Sequence, residues 1–353
     1  MGRSITESLT TQWLGRVVLL VGVVALFWLC WQVADILLLA FAGVLLAVFF
    51  QILVKLLQRV VPLANQWALL LIVPVLLGVL GLVGWFVAPQ LLADLNALSD
   101  QVPTALRQLS EGVDRYGWVQ RLLNRLPSLE QVVTPSGGLF AQITGTFSTV
   151  LSLLANLLLI LFVGLFLAAN PMLYQAGLLQ LAPAPRRPRL AVVINNIVTT
   201  LRWWILGQLF SMSVIGVFTG LGLWFIGMPF ALALGVITGL LEFVPYVGPL
   251  VSGSLAILLA FTQSPIQALY VLVLYIGIQQ IEGNLLTPLV HRYTVSLPPA
   301  LTLVAVVVIG TLFGFVGILV ATPLLAVIIV LIKMLYVEDV LGGTPELPQK
   351  IFE

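Results

Sequence analysis

Charged side chains are scarce in this 353-residue sequence, and that scarcity restricts the fold class. Asp, Glu, Lys and Arg together make up 8% of the residues, whereas hydrophobic residues make up 61%. An ordinary soluble domain has about 25% charged residues, from which it builds a surface that faces water. The composition therefore excludes an ordinary water-soluble globular protein.

Basic residues are too few and too dispersed to form a surface for nucleic acid. The sequence contains 15 Lys and Arg against 13 Asp and Glu, so its formal net charge is only +2. Proteins that bind nucleic acid instead concentrate Lys and Arg on one face or along one stripe. We therefore expect no nucleic-acid partner.

Cysteine and histidine are nearly absent, since Cys30 and His291 each occur once. One cysteine excludes an internal disulfide and a cysteine metal site. The sequence also lacks the His-Glu-x-x-His pair of zinc enzymes and the Gly-x-x-x-x-Gly-Lys-Ser/Thr loop that binds ATP. We therefore expect no enzyme activity, no metal centre and no cofactor, apart from a proton or sodium ion that is transported or coupled to transport.

Long apolar runs are what the sequence has in abundance. A helix needs about 17–25 apolar residues to cross a hydrocarbon core about 30 Å thick. Such runs occur at 14–33, 36–54, 67–91, 147–169, 203–227, 229–262, 265–281 and 299–333. We therefore predict an all-α polytopic integral membrane protein with about eight hydrophobic segments, surrounded by membrane lipids.

The basic residues predict the orientation of these segments. If the N-terminus is cytoplasmic, the cytoplasmic side receives Arg3, Arg16, Lys55, Arg59, Arg186, Arg187, Arg189 and Arg202, as the positive-inside rule requires. This arrangement needs the first two segments to be separated by a turn at the outer interface near Asp35. Both termini are then expected in the cytoplasm.

The predicted segments divide the chain into five parts. Residues 1–91 contain transmembrane segments 1–3, and residues 147–202 contain segment 4 and a basic cytoplasmic loop with an interfacial helix. Residues 203–335 form the transport core, and residues 336–353 form a cytoplasmic tail. The remaining part, 92–146, has apolar residues at spacings of three and four, which predicts amphipathic helices outside the membrane. It serves either as a helical cap or as an element for oligomerisation or substrate admission.

The interfacial helix is predicted from residues 190–204. They follow the rigid basic turn Pro183–Arg189, mix apolar with polar residues, and end in Arg202-Trp203-Trp204. Tryptophan favours the headgroup level of the bilayer. We therefore expect this helix to lie on the inner membrane surface, separate from the span that starts at residue 203.

Two of the apolar segments, 229–262 and 299–333, are too long for one span and barely long enough for two. The first contains Pro245 and Pro249, and the second contains three glycines and Pro323, all of which interrupt helices. Backbone without helical hydrogen bonds at membrane depth must be buried in protein or line a watery cavity. We interpret both segments as re-entrant hairpins, each preceded by a span, in an inverted repeat of the kind found in secondary transporters. Kinked single spans are the alternative.

Glu242 and Glu282 are the best candidates for chemistry, because ionisable residues inside membrane segments are costly and often functional. Each either binds a coupling proton or sodium ion or has a structural role as a cap or interhelical hydrogen-bonding group. The other candidate substrate- or ion-binding residues are Pro245, Tyr246, Gly248, Gln279, Gln280, Asn284 and Thr287. Candidate hinges or helix breaks are Pro249, Gly310, Gly314, Gly317 and Pro323.

Three stretches resemble the AI-2E family of autoinducer-2 exporters and PerM-like permeases. They are LGVITGLLEFVPYVGP at 234–249, IEGNLLTPLV at 281–290, and Leu297-Pro with a glycine-rich run and ATPLLA at 321–326. The resemblance covers about 200–335. It implies about eight membrane segments, a homo-oligomer in the bacterial inner membrane, and transport without nucleotide hydrolysis. Some members are linked to autoinducer-2 export and others to sodium or lithium ion/proton antiport, and many carry Asn where this chain has Glu242.

Three functional hypotheses follow. The first is a secondary transporter that exports a small polar solute by alternating access, with proton or sodium coupling at Glu242 and Glu282. The second is a cation/proton antiporter in which the ion itself is the substrate. The third is a membrane scaffold that transports nothing and recruits partners through 92–146.

Overall fold

The computed structural model describes residues 3–79, 147–245, 247–286 and 297–343, with isolated positions at 81, 82, 84, 85, 89, 93, 94 and 288. Within this part of the chain all regular structure is helical and no strand occurs, so the all-α prediction is confirmed. The predicted extramembrane segment 92–146 lies outside the described residues except at positions 93 and 94. Of the predicted tail 336–353, only the first eight residues are described.

The helices are labelled here in chain order. They are α1 (Arg3–Gln58), α2 (Asn65–Val79), α3 (Phe147–Ala169), α4 (Pro171–Gln180), α5 (Arg187–Phe225), α6 (Ala231–Leu241), α7 (Val247–Gln263), α8 (Pro265–Ile281) and α9 (Pro299–Leu331). A 3₁₀ turn, Ala184–Arg186, precedes α5, and wide π-helical turns extend α8 through Glu282–Leu286 and α9 through Ile332–Glu338.

Judged by length and composition only, four helical stretches of the described chain could cross a membrane: Val33–Gln58, Ala184–Phe225, Pro265–Leu286 and Pro299–Glu338. A fifth arises if Leu154–Ala169 and Pro171–Gln180, which meet at 90°, are counted as one broken span. Helices α2, α6 and α7 are apolar but shorter. The described residues therefore support a multi-pass membrane protein, whereas the predicted count of about eight segments is not confirmed.

Two predicted boundaries are wrong. Helix α1 continues through Asp35 without the expected turn, and α5 continues through residues 202 and 203, where an interfacial helix was expected to end. The sequence explains both results, because neither proline nor glycine interrupts the helix at these points. Trp204 also does not face the headgroups: it is buried, and its ring packs edge-on against Phe243 with ring centres 5.7 Å apart.

The N-terminal helices form a buried cluster of their own and also pack against α5. Helices α1, α2 and α3 share a cluster of buried residues that includes Phe50, Val54 and Ala168. A Cβ at Gly43 would lie 2.6 Å from Val163 Cγ1, so α1 and α3 approach closely at this glycine. A second cluster, around Leu201 and Trp204, joins α1 to α5.

Helices α5 and α6 cross through two paired glycine motifs. A Cβ at Gly235 would lie 2.6 Å from Gly220 Cα, and a Cβ at Gly239 would lie 3.0 Å from Gly216 Cα. Because glycine has no Cβ, the two backbones can approach closely, as small-residue motifs allow between membrane helices. This contact fixes α6 against the long helix α5.

The segment 229–262 is broken near Pro245, as predicted, and its two helices run antiparallel. Helix α6 ends at Leu241 and α7 begins at Val247. Leu234, near the start of α6, and Leu259, near the end of α7, lie in the same buried cluster, which requires the chain to reverse between them. With 11 and 17 residues, α6 and α7 are about 16 and 25 Å long, so neither reaches across a hydrocarbon core about 30 Å thick.

The segment 299–333 also reverses direction, and it does so at Gly314. This residue has φ 63° and ψ −145°, a backbone conformation that is accessible almost only to glycine. A Cβ at Gly310 would lie 2.6 Å from Ile318 Cγ1, and one at Gly317 would overlap the carbonyl of Ile309. Residues eight apart in an unbroken helix are about 12 Å apart, so α9 is a hairpin of two half-helices rather than one rod.

Candidate functional site

Glu242 lies at the reversal between α6 and α7 and is almost fully buried, with 1% of its surface exposed. Helix α6 stops here because Pro245 lacks an amide hydrogen and disfavours helical geometry in the preceding residue. Gly248 closes the turn: its amide donates to Val244, and it contacts the carbonyl of Leu241, so no Cβ fits. The sequence thus places an acidic side chain at a tight, glycine-dependent turn inside the protein.

Glu282 comes from a different helix and reaches the same place. It follows the last residue of α8, and its carboxyl group is within hydrogen-bonding reach of the Glu242 carboxyl group. Gln279 Nε2, one turn earlier on α8, donates a hydrogen bond of 2.7 Å to Glu282 Oε2. Two carboxyl groups 40 positions apart in sequence therefore form one pair, which we call the carboxyl pair.

The carboxyl pair has no basic partner among the described residues. The groups that act on these two carboxyls are each other and Gln279. Glu242 Oε2 is buried and receives no hydrogen bond from a protein donor. Two carboxylates within hydrogen-bonding reach of each other in a poorly solvated site repel strongly. The pair therefore requires a shared proton or another bound cation to be stable.

A pair of hydroxyl groups lies one helical turn from the carboxyl pair. The hydroxyl groups of Thr238 on α6 and Tyr275 on α8 are 3.1 Å apart, and Ser252 on α7 also interacts with Tyr275. Sequence analysis missed these residues. Their spacing in the sequence could have identified them. Thr238 precedes Glu242 by four residues and Tyr275 precedes Gln279 by four, so each lies on the same helix face as a predicted site residue.

A groove of about 480 Å³ lies between α7 and α8, next to the carboxyl pair. Its polar lining comes from Ser254, Tyr275, Gln279 and Gln280, and its apolar lining includes Pro249, Leu250, Gly253, Ile257 and Ile276. The volume and the mixture of hydroxyl, amide and apolar groups suit a small polar solute. Gln279 is shared, because it lines the groove and also bonds to Glu282.

The predicted site residues divide into three groups. Glu242, Gly248, Gln279 and Glu282 lie together, and Pro245 lies at the same turn. Gln280, which lines the groove, accepts a hydrogen bond of 2.9 Å from Asn284, an exposed residue on the extension of α8. Tyr246 and Thr287 lie outside the described residues, as does His291.

The predicted hinge residues lie next to this turn. Pro249 lines the groove, Gly310, Gly314 and Gly317 form the second hairpin, and Pro323 is buried within α9. Val244 packs in one buried cluster with Val306 and Ala321, one from each half of α9. Both hairpins therefore meet beside Glu242.

No group of three or more His, Cys, Asp or Glu side chains that could hold a metal ion occurs within the described ranges. A carboxyl pair with amide and hydroxyl neighbours offers oxygen ligands of the kind that suit a proton or a monovalent cation. Such a site can change its charge as an ion enters and leaves.

The fold and the site define a class: a multi-pass helical membrane protein with two interrupted hairpins around a buried acidic pair. Sequence comparison supplies the family. A profile described as AI-2E family transporter matches residues 17–336, so this chain belongs to the AI-2E transporter family.

Curated relatives match this chain over different shares of its length. "Putative transport protein YueF" from Bacillus subtilis is 26% identical over 299 residues, which cover 81% of this chain and 80% of the relative. "Putative transport protein YrrI" from the same organism is 27% identical over 70% of this chain and 73% of its own length. "Putative permease PerM" from Escherichia coli is 29% identical over 127 residues, or 35% of this chain and 36% of the relative. The family and these names support a membrane transporter or permease.

Proposed function

We propose that the chain is a secondary transporter that exports a small polar solute, such as autoinducer-2, by alternating access coupled to protons or sodium ions. The observation that carries this proposal is the buried carboxyl pair of Glu242 and Glu282, which has no basic partner in the described chain. A structural ion pair would supply its own positive charge. This pair must take a cation from outside, which is what a coupling site does.

The carboxyl pair and the hairpins together suggest how ion binding drives movement. Without a bound cation, repulsion between the two carboxylates acts between the α6–α7 turn and the end of α8. A proton or sodium ion removes that repulsion and lets these elements close together. Since the second hairpin packs on Val244, movement of the α6–α7 turn also reaches α9.

The groove between α7 and α8 is the proposed solute site. Ser254, Tyr275, Gln279 and Gln280 can donate to and accept from a hydroxylated or carbonyl-bearing solute. The proposal also includes a homo-oligomer in the bacterial inner membrane, with the basic turn before α5 and the C-terminus in the cytoplasm. The positive-inside rule supports this orientation.

Sodium or lithium ion/proton antiport is the second candidate, and the same pair favours it. In that case the cation bound between Glu242 and Glu282 is the cargo, and the groove serves only as its entrance. The two functions differ in what crosses the membrane together with the coupling ion.

Purified protein in liposomes separates these functions. Flux of labelled autoinducer-2 and of sodium is measured under an imposed pH or sodium gradient. The wild type, Glu242→Gln and Glu282→Gln are compared with Asp35→Asn, a carboxyl-to-amide change at an exposed position in α1. We expect both pair variants to lose gradient-driven flux and Asp35→Asn to retain it.

Two outcomes would contradict parts of this proposal. Solute flux in the wild type that ignores both gradients would exclude ion coupling. Normal sodium/proton exchange in both pair variants would exclude antiport at this site.

A further inference from the structure

Among the described residues, only Gln279 both bonds to the carboxyl pair and lines the groove. Its Nε2 donates to Glu282 Oε2 at 2.7 Å, and its side chain lines the groove between α7 and α8. Gln280 lines the same groove, but its amide oxygen accepts from Asn284 and it does not bond to Glu282 in the structure. Gln279 is thus the side chain that links the carboxyl pair directly to the proposed solute site.

We infer that Gln279 is the positioning residue that transmits occupancy of the carboxyl pair to the groove, by reversing the direction of its hydrogen bond with Glu282. This inference rests on the proposed function, because it assumes that the pair binds and releases a proton. It adds a specific residue and a specific change in the groove wall.

The physical reason is the chemistry of the two partners. An ionised carboxylate only accepts hydrogen bonds, so it fixes the Gln279 NH2 group towards Glu282 with a charge-assisted bond. When a proton binds to Glu282, the carboxyl group can donate, and the amide oxygen of Gln279 is its natural acceptor. When the Gln279 amide rotates by half a turn to accept this hydrogen bond, its NH2 group turns away from Glu282 and towards the groove.

The groove then presents a different hydrogen-bonding group in each state. With the carboxyl pair ionised, the free end of the Gln279 amide is its oxygen, which accepts from a hydroxyl group. With Glu282 protonated, the free end is the NH2 group, which donates to a carbonyl or hydroxyl oxygen. The affinity of the groove for a neutral solute with several hydroxyl or carbonyl groups would therefore differ between the two states. That difference in affinity couples the groove to the carboxyl pair.

Other charged groups near the pair are few. Glu242 directly follows α6, Tyr275 lies on α8, and Glu282 begins the extension of α8, whereas α7 contains no ionisable side chain. Helix α5 carries Arg202, six positions before Gln208, but no basic residue acts on either carboxyl group of the pair. A pH response of the groove that requires Glu282 would therefore originate in the carboxyl pair.

The test reads the groove without needing a transported solute. Ser254 lines the groove and is exposed, so Ser254→Cys is introduced into full-length protein with Cys30→Ser, in detergent. Its rate of maleimide labelling between pH 5.5 and 8 is divided by that of Asn195→Cys, an exposed position on α5. This ratio removes the ordinary pH dependence of a thiol.

We expect the ratio to change at least threefold across this pH range in the wild-type background and to become flat with Glu282→Gln. Gln279→Leu should flatten it as well, whereas Gln280→Leu, the matched control in the groove wall, should not. If Gln279→Leu fails to fold, Gln279→Asn is tested instead, because it retains the amide group. Its ratio should show part of the wild-type pH response.

A pH-dependent ratio that survives Gln279→Leu would overturn the inference, and so would a ratio that is flat in the wild type. Failure of the proposed function looks different. If solute flux ignores ion gradients while labelling shows the expected pattern, the transport proposal fails and the link through Gln279 stands.

Discussion

Gln208 on α5 donates a hydrogen bond from Nε2 to the main-chain carbonyl of Glu242, 34 positions later in the chain, at 2.5 Å. Carbonyl groups in the last turn of a helix have no partner within the helix and need one from elsewhere. Gln208 is itself buried. This bond therefore satisfies the broken end of α6 and fixes the position of the proposed ion-binding carboxyl group.

The first prediction concerns this bond. Gln208→Leu keeps the side-chain volume similar but leaves the Glu242 carbonyl unpaired, which costs about 1–3 kcal/mol in the free energy of unfolding. We expect a lower melting temperature in detergent and reduced ion-dependent flux. Ser213→Ala, which removes a hydroxyl from an exposed position on the same helix, should change neither quantity. Unchanged stability in Gln208→Leu would show that this bond does not hold the turn.

The second prediction concerns the glycine crossing of α5 and α6. Gly235→Ala would place a Cβ 2.6 Å from Gly220 Cα and 2.9 Å from the Gly216 carbonyl oxygen, so the helices must separate. We expect a loss of about 1–3 kcal/mol, the usual cost of overpacking, measured as a fall in melting temperature. The matched control is Gly277→Ala on α8, where the new methyl group meets nothing within 4 Å. Because alanine favours helix over glycine, that variant should be as stable as the wild type or slightly more stable.

The local features of the site could be predicted from the sequence. Pro245 and Gly248 mark a helix break because proline removes a donor and glycine permits close backbone approach, and both effects depend on the residue itself. An acidic residue in an apolar run is costly wherever the helix lies, so Glu242 and Glu282 were identifiable as candidates. Neither feature required knowledge of the tertiary fold.

The partners of these residues could not be predicted. Gln208 bonds to Glu242 across 34 positions of the sequence, and Thr238 meets Tyr275 across 37. Which residues form such pairs depends on how the helices pack. Helical periodicity indicates which face a residue occupies but not which helix covers that face.

The error at Asp35 has a related cause. A lone acidic residue between two apolar runs resembles an interfacial turn, but Val33-Ala34-Asp35-Ile36 contains no residue that breaks a helix, and α1 continues through it. This continuity affects orientation, because the predicted cytoplasmic N-terminus needs two crossings before Lys55. A single crossing by Val33–Gln58 would place the N-terminus on the other side, and cysteine labelling near Arg3 in intact cells distinguishes the two arrangements.

The third prediction concerns the reversal at Gly314. Its φ of 63° and ψ of −145° are strained for any residue with a Cβ, at a cost of about 1–3 kcal/mol. Gly314→Ala should therefore lower the melting temperature and slow transport, although a Cβ there has no neighbour within 4 Å to clash with. Gly177→Ala, at an exposed glycine of α4 that also has free space, is the control for loss of a glycine.

The hairpin at Gly314 also predicts on which side of the membrane its two ends lie. Cysteines at Ala300 and Lys333 should be labelled from the same side of the membrane, because the two halves of α9 run antiparallel. Labelling from opposite sides would indicate a kinked single span and would contradict the hairpin.

The fourth prediction concerns Arg189, which joins the start of α5 to the end of the α9 extension. Its guanidinium group forms ion pairs with Glu338 and Asp339, the latter at 2.9 Å, and donates to the Met334 carbonyl at 2.8 Å. The guanidinium group stays charged throughout the accessible pH range, as arginine does in proteins. About a third of the Arg189 side chain is exposed, so screening by water and salt limits what the ion pairs contribute.

We expect Arg189→Gln to destabilise the protein by about 1 kcal/mol or less, and to do so more at low salt than at 1 M salt, because ions screen exposed charges. Arg186→Gln makes the same change in net charge three positions earlier and should have a smaller effect. In a double-mutant cycle, Glu338→Gln should cost less in the Arg189→Gln background than in the wild type, since its main partner is already gone. Equal costs in both backgrounds would mean that Arg189 and Glu338 do not stabilise each other. The end of α9 would then be held to α5 by the remaining contacts of Arg189 with Asp339 and the Met334 carbonyl and by the buried side chains of Val193, Val330 and Met334.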